Sequence, residues 1–306
     1  MSDLVIETRG LTRYFGNKCA VDSLDIAVPR GCVFGFLGRN GSGKTTMIRM
    51  LLGLLEPTRG SCSLLGCDSA DLPPRVRARV GYLAEGHHVY GWMRVRECGQ
   101  FQSRFYEHWN SDVFAGVLDY FQLDPEARAA SLSRGERAGL CLGLTLAPEP
   151  ELLVLDDPAL GLDPVARRAL LEAMVYVTRR ADRTIFFSSH LLSDVERVAD
   201  RIAVIDHGRL SACCSLETFR DRVRRLVVRF AGPAPKLPDI PGLLDSVRSG
   251  DEIAVTVVGE EGEEALRRLG AERIEPVPID LEEAFISYVG RRGSRSVLLP
   301  GAGGAA

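Results

Sequence analysis

The chain has 306 residues, 45% of them hydrophobic, with 38 basic side chains against 41 acidic ones. The resulting net charge of -3 argues against a general nucleic-acid binder, because phosphate backbones select a basic surface. No stretch approaches the ~20 apolar residues needed to cross a bilayer, and the N-terminal MSDLVIETRG lacks the basic-then-apolar pattern of a secretory leader.

The length has room for one large α/β domain and a smaller one. Residues 4–9 and 24–28 alternate as short strands. Val33–Leu37 is a buried-strand run ending at a glycine-rich turn, and Lys44–Leu55 follows as a helix. From about Val95 to Ala147 no strand is evident, and the segment reads as a helical insertion. Leu152–Leu155, Thr184–Ser188 and Arg201–Ile205 are further short strands, separated by helical stretches such as Pro164–Thr178. This alternation predicts a mostly parallel sheet with helices packed on it. After residue 215 the character changes. Pro233, Pro235, Pro238 and Pro241 mark a linker or irregular connection. Asp251–Val258 reads as a strand, Glu260–Leu269 as a helix, Arg273–Ile279 as a strand and Leu281–Val289 as a helix. The expectation is a main domain over 1–215, a small α+β domain over 216–290 and a disordered tail over 291–306, ending GAGGAA. There is no internal repeat. The eight cysteines form no CxxC pair and fit buried, reduced thiols.

Gly38-Arg39-Asn40-Gly41-Ser42-Gly43-Lys44-Thr45 fits GxxxxGKT and sits between a strand and a helix. Glycines let the backbone curl round phosphates with its N–H groups inward, and the helix N-terminus adds partial positive charge. Lys44 is placed to reach the β- and γ-phosphates, Thr45 to ligate Mg²⁺, and Thr46 to add a hydroxyl. Leu152–Leu155 then delivers Asp156 and Asp157 to the C-terminal end of a strand, where open α/β sheets bind ligands. Asp156 is expected to hold Mg²⁺ through its water shell.

Between and after these two elements the chain resembles the ATP-binding subunits of ABC transporters. Leu132-Ser133-Arg134-Gly135-Glu136 is similar to the LSGGQ signature, Gly161-Leu162-Asp163-Pro164 to the D-loop, and His190 to the switch histidine. Phe15 lies where the family stacks an aromatic on adenine, and Glu85 where it carries the Q-loop glutamine. Leu281-Glu282-Glu283-Ala284-Phe285 is similar to a terminal helix of bacterial exporter subunits. The resemblance spans residues 4–215. It implies a P-loop NTPase fold of ABC type with a mixed core sheet. The activity implied is ATP hydrolysis with Asp157 activating water, His190 sensing the γ-phosphate, and Glu85 near the metal or facing a membrane partner. It also implies a head-to-tail dimer of two copies, with Ser133, Gly135 and Glu136 acting across the interface, and counts Asp163 of the D-loop among the nucleotide-binding residues. A separate transmembrane permease would hold the subunit, cytoplasmic and peripheral, on the inner face of the membrane.

Three departures stand out. Asp157 replaces the usual glutamate and loses about 1.5 Å of reach, which predicts slow hydrolysis. Arg134 and Glu136 replace a glycine and a glutamine of the signature, and Arg134 is expected to point to solvent. Glu85 replaces a glutamine. His87-His88, without a third spaced donor, reads as an exposed loop rather than a metal site. Two other readings stay in view. A soluble ABC ATPase acting on DNA or the ribosome is disfavoured because this chain has neither a second module nor a long coiled-coil or zinc insertion. A nucleotide-gated binding module with negligible turnover is the other, and Asp157 gives it weight.

Overall fold

In the computed structural model, which describes residues 4–181, 183–230, 232, 237, 240–249 and 252–290, three antiparallel or parallel sheets organise the chain. All five residues of β4 (Val33–Leu37) are buried, as are all six of β9 (Thr184–Ser189) and all four of β8 (Leu152–Leu155). Strands apolar on both faces suit the middle of a parallel sheet covered by helices. β4 pairs in parallel with β9 and with β10 (Arg201–Asp206), β9 with β8, and β8 with β7 (Val80–Leu83). β11 (Arg209–Ser215) follows β10 in the chain, and within it the first compact unit gives way to the second between Leu210 and Ser211. Phe186 stacks on Phe34 at 5.7 Å and meets Phe36 at 5.5 Å, welding the centre of the sheet.

A second sheet is built on the long strand β1 (Leu4–Phe15), which pairs antiparallel with β2 (Lys18–Leu24), β3 (Ala27–Pro29) and β5 (Arg59–Leu64); β6 (Cys67–Asp68) extends it. The single strand expected over 24–28 is broken here. The buried Thr8 hydroxyl donates to the Leu24 carbonyl at 2.9 Å and accepts from the Ile26 amide at 2.8 Å, replacing ladder bonds where the chain swings from β2 to β3. Helix α1 (Lys44–Leu51) also stops short of the expected Leu55. Gly53 adopts φ 68°, its amide bonds the Met50 carbonyl, and the Leu54 amide reaches back to Arg49. That is a Schellman ending, which only glycine enters without strain.

Short α2 (Pro74–Arg77) precedes β7, and the segment expected to be a helical insertion holds α3 (Val95–Ser103), α4 (Ser111–Tyr120) and α5 (Arg134–Leu146). They close on their own core, which includes Val95, Phe114, Leu118 and Leu140. α6 (Pro164–Ala181) and α7 (Leu192–Val198) follow β8 and β9. None of the eight cysteines is joined in a disulfide.

The second unit contains α8 (Leu216–Arg222) and a four-stranded antiparallel sheet ordered β13 (Leu243–Ser249), β14 (Glu252–Val258), β12 (Val223–Phe230), β15 (Ala271–Val277). α9 (Glu261–Arg268) contributes the buried Leu266 to a core with Leu226, Val228, Ile253 and Val255. In α10 (Leu281–Gly290) the Tyr288 hydroxyl donates to the Ser211 carbonyl at 2.7 Å, and its ring meets Phe219 edge-on. β12 and β13 were not anticipated from the sequence. Pro233, Pro235 and Pro238 of the expected linker, and the expected tail over 291–306, lie outside the described residues. Among the described residues, no helix is long and apolar enough to cross a membrane.

Candidate active site

The turn between β4 and α1 is pinned at both ends. The Gly38 amide bonds the Ser189 carbonyl at the end of β9, and the Ser42 carbonyl accepts from the Gly208 amide at 3.0 Å. Gly43, the residue before α1, has φ 110°, and a Cβ there would lie 2.4 Å from the Ala20 carbonyl oxygen. No L side chain fits that conformation and that space. The turn therefore wraps tightly enough for Lys44 Nζ to bond the carbonyls of Gly38 at 2.8 Å and Arg39 at 3.3 Å. Burial pulls the Lys44 ammonium below its ordinary value, and Asp157, Asp156 and Glu85 pull it back. An ammonium held in a desolvated loop and facing carboxylates is suited to a polyanion.

The parallel pairing of β8 with β9 brings the acidic pair onto this turn. Thr45 Oγ1 donates to Asp156 Oδ1 at 3.2 Å, and the Ser188 hydroxyl donates to the same oxygen at 2.8 Å. Asp156 Oδ2 is buried with no hydrogen-bond partner among the described residues, as is Ser42 Oγ. A hydroxyl beside a carboxylate with a buried, unpartnered oxygen is the hard donor set that Mg²⁺ prefers, so these residues fit the ion. Asp157 has φ 45°, and its amide is held by Ser188 Oγ at 2.8 Å. Asp157 Oδ2 meets His190 Nδ1 at 2.8 Å. Burial raises the Asp157 pKa, with the His190 hydrogen bond and the Lys44 charge opposing. A carboxylate held in this way is placed to take a proton or to orient a water.

Phe15, Asn40, Gly41, Gly43, Lys44, Thr45, Thr46, Glu85, Asp156 and Asp157 line one cleft of about 370 Å³. Lys18 and Ala20, from the strand after Phe15, complete it. Phe15 is half exposed there, and the Arg13 guanidinium lies 4.8 Å from its ring centroid.

Ser133, Gly135, Glu136 and Asp163 do not line this cleft. Ser133 instead caps α5: its Oγ accepts from the Glu136 amide at 3.2 Å, while the Glu136 carboxylate accepts from the Ser133 amide at 2.7 Å. The Ser133 hydroxyl can still donate, since the cap uses only an acceptor lone pair. Asp163 caps α6 by accepting from the amides of Val165 and Ala166, and the Ala166 amide first of all lowers its pKa. Arg134 is exposed, as expected, yet it also donates to the Gly161 carbonyl at 3.4 Å, tying the two loops together.

His87 corrects the expectation of an exposed histidine loop. It is 5% exposed, at φ 50°, and its Nε2 bonds the Pro158 carbonyl at 2.9 Å, next to Asp157; His88 alone is exposed. Burial lowers the His87 pKa, so the neutral ring donates from Nε2. Neither His87 nor Ser188 stood out as a supporting residue in the sequence. A hydroxyl at the end of an otherwise apolar strand was the one signal for Ser188.

A phosphate loop on a parallel sheet, an acidic strand end beside it and a helical insertion opening on a capped serine together define a P-loop nucleotide-triphosphate-binding protein. The chain belongs to the ABC transporter family, as an ATP-binding subunit and ABC-type ATPase; residues 21–160 match that family. It is 33% identical to the bacitracin transport ATP-binding protein BcrA of Bacillus licheniformis, over 72% of this chain and 73% of the relative. It is 30% identical to the Nod factor export ATP-binding protein I of Neorhizobium galegae, over 94% of this chain and 86% of the relative. Among solved structures, an ATP-binding subunit of an ABC transporter aligns at TM-score 0.64 and 28% identity, covering 71% of this chain and 92% of that one.

Proposed function

We propose that this subunit powers an exporter, hydrolysing ATP between two copies of itself and passing the motion to a separate permease. The observation that carries the reading is the convergence of Lys44, Thr45, Asp156, Asp157 and Glu85 on one cleft. Lys44 and the loop Gly38–Thr46 grip the triphosphate. Phe15 stacks on adenine. Thr45 and Asp156, with Glu85 beside them, would hold Mg²⁺, which when bound neutralises phosphate oxygens. Asp157 orients water, and His190 reports the γ-phosphate to it. The free Ser133 proton and the Gly135 amide serve the partner's nucleotide, with Glu136 fixing the shape of their loop and Asp163 that of the loop beside it. Export is supported by the Leu281–Phe285 helix start and by relatives that bear the names bacitracin transport and Nod factor export. Residues 216–290 are an accessory domain to this motor.

The permease contact we assign to exposed aromatics downstream of Glu85. Trp92 is 69% and Phe105 68% exposed, and Tyr90 and Phe101 link them through successive ring contacts of 6.1, 5.8 and 5.2 Å. Exposed aromatics clustered in one place suit an interface. The subunit would then rest on the membrane's cytoplasmic face through its partner.

Asp157 makes the motor slow, because the water it orients lies one methylene further from its carboxylate. Phosphate release from ATP tests the whole reading. Turnover is expected to be measurable, to fall about 10²–10³-fold in Lys44→Ala, and to rise in Asp157→Glu. Turnover in Lys44→Ala equal to the parent would remove the motor. Turnover absent in both the parent and Asp157→Glu would favour a nucleotide-gated binding module instead.

A further inference from the structure

Strand alternation puts Arg13 and Phe15 on the same side of β1, and the two side chains meet face to ring. The guanidinium carbon of Arg13 lies 4.8 Å from the Phe15 centroid, within the range in which a cation is attracted by a π face. The guanidinium is itself anchored: Nη1 donates to the Glu56 carbonyl at 2.8 Å. Arg13 Nε is buried with no hydrogen-bond partner among the described residues, so the head group is committed to the ring and to one carbonyl. Arg13 does not line the nucleotide cleft, whereas Phe15 does.

We propose that Arg13 is a positioning residue for the nucleotide base, acting through Phe15 and never touching the ligand. The inference rests on the reading that Phe15 stacks on adenine. A lone phenylalanine that is 48% exposed is free to change rotamer, and a base that lands on it must first fix it. Arg13 removes that cost in advance by occupying one face of the ring and leaving the other for the purine. The cation also draws π density toward itself, which makes the opposite face a better partner for an electron-rich purine. The base would thus form the outer layer of a stack of guanidinium, phenyl ring and purine, built on the carbonyl of Glu56.

The test is a double-mutant cycle read by equilibrium binding of ATP and, separately, of inorganic tripolyphosphate. Arg13→Gln is expected to weaken ATP roughly 2- to 5-fold and to leave tripolyphosphate unchanged. In a Phe15→Ala background, Arg13→Gln is expected to change nothing further. Arg13→Lys, which keeps charge but loses the planar fork, should fall between parent and Arg13→Gln. Unaltered tripolyphosphate binding also shows that the variant cleft is folded. The proposal is overturned if Arg13→Gln weakens tripolyphosphate as much as ATP, if its effect persists in Phe15→Ala, or if ATP affinity does not move. Should Phe15→Ala leave ATP affinity intact, the adenine-stacking reading fails and takes this inference with it. Should Phe15→Ala weaken ATP while Arg13→Gln does not, only the role of Arg13 fails.

Discussion

Lys44 and Asp157 are charged groups held where water is scarce, and burial moves their pKa values in opposite directions. The raised Asp157 value means that the folded chain holds this proton more tightly than the unfolded chain does. Its contribution to stability is therefore lost as pH rises through that value, and near neutrality the bare carboxylate is a net cost. For Lys44 the lowered value places the loss on the other side, as pH falls through it. Asp157→Asn removes the cost and, on the proposed function, the group that orients water. Its nucleotide-free melting temperature is expected to equal or exceed the parent's by scanning fluorimetry, while phosphate release drops at least about 10²-fold. A lower melting temperature would mean that the His190 pairing outweighs burial. In the parent, the acid limb of kcat/KM should be displaced upward from that of an unperturbed aspartate, because burial raises the Asp157 pKa. Lys44, Thr45, Asp156 and Asp157 were legible in the sequence because a strand, a turn and a helix carry them in local order. His87 was not, since its Pro158 partner is 71 residues away and nothing near two adjacent histidines signals a buried donor.

Whole elements were read well where apolar runs are unbroken, as in β4, β8 and β9, and poorly where charge interrupts them. In β12 the pair Arg224–Arg225 splits Val223 from Leu226, Val228 and Phe230, although those four side chains are buried. β5 offers only Cys62 and Leu64 to the core, so its sequence carries almost no period. The end of α1 was legible but missed: Gly53 is a stop signal, and the apolar Leu54 and Leu55 beyond it suggested continuation. Gly53→Ala tests that ending. An alanine there must keep φ near 68° with its Cβ 2.3 Å from the Ser69 carbonyl oxygen, so urea denaturation should show a loss of about 1–3 kcal/mol. A loss under a few tenths of a kcal/mol would show that the helix simply extends. Because α1 carries Lys44 and Thr45 in its first turn, such a loss should come with weaker ATP binding.

At the scale of the molecule, the proposed function has the cleft and the signature loop serve different nucleotides. Lys44 faces this chain's own cleft, whereas the Ser133 hydroxyl, an acceptor in its helix cap, can still donate its proton. Two copies placed head to tail would satisfy both at once, and the charge of ATP would then become the bond between them. Light scattering on the hydrolysis-blocked Asp157→Asn chain, with and without ATP and Mg²⁺, tests this directly. Twice the chain mass is predicted with ATP only, reverting to a single mass when Ser133→Glu sets a carboxylate against the partner's γ-phosphate. A single mass at saturating ATP, or a dimer indifferent both to ATP and to Ser133→Glu, would contradict it.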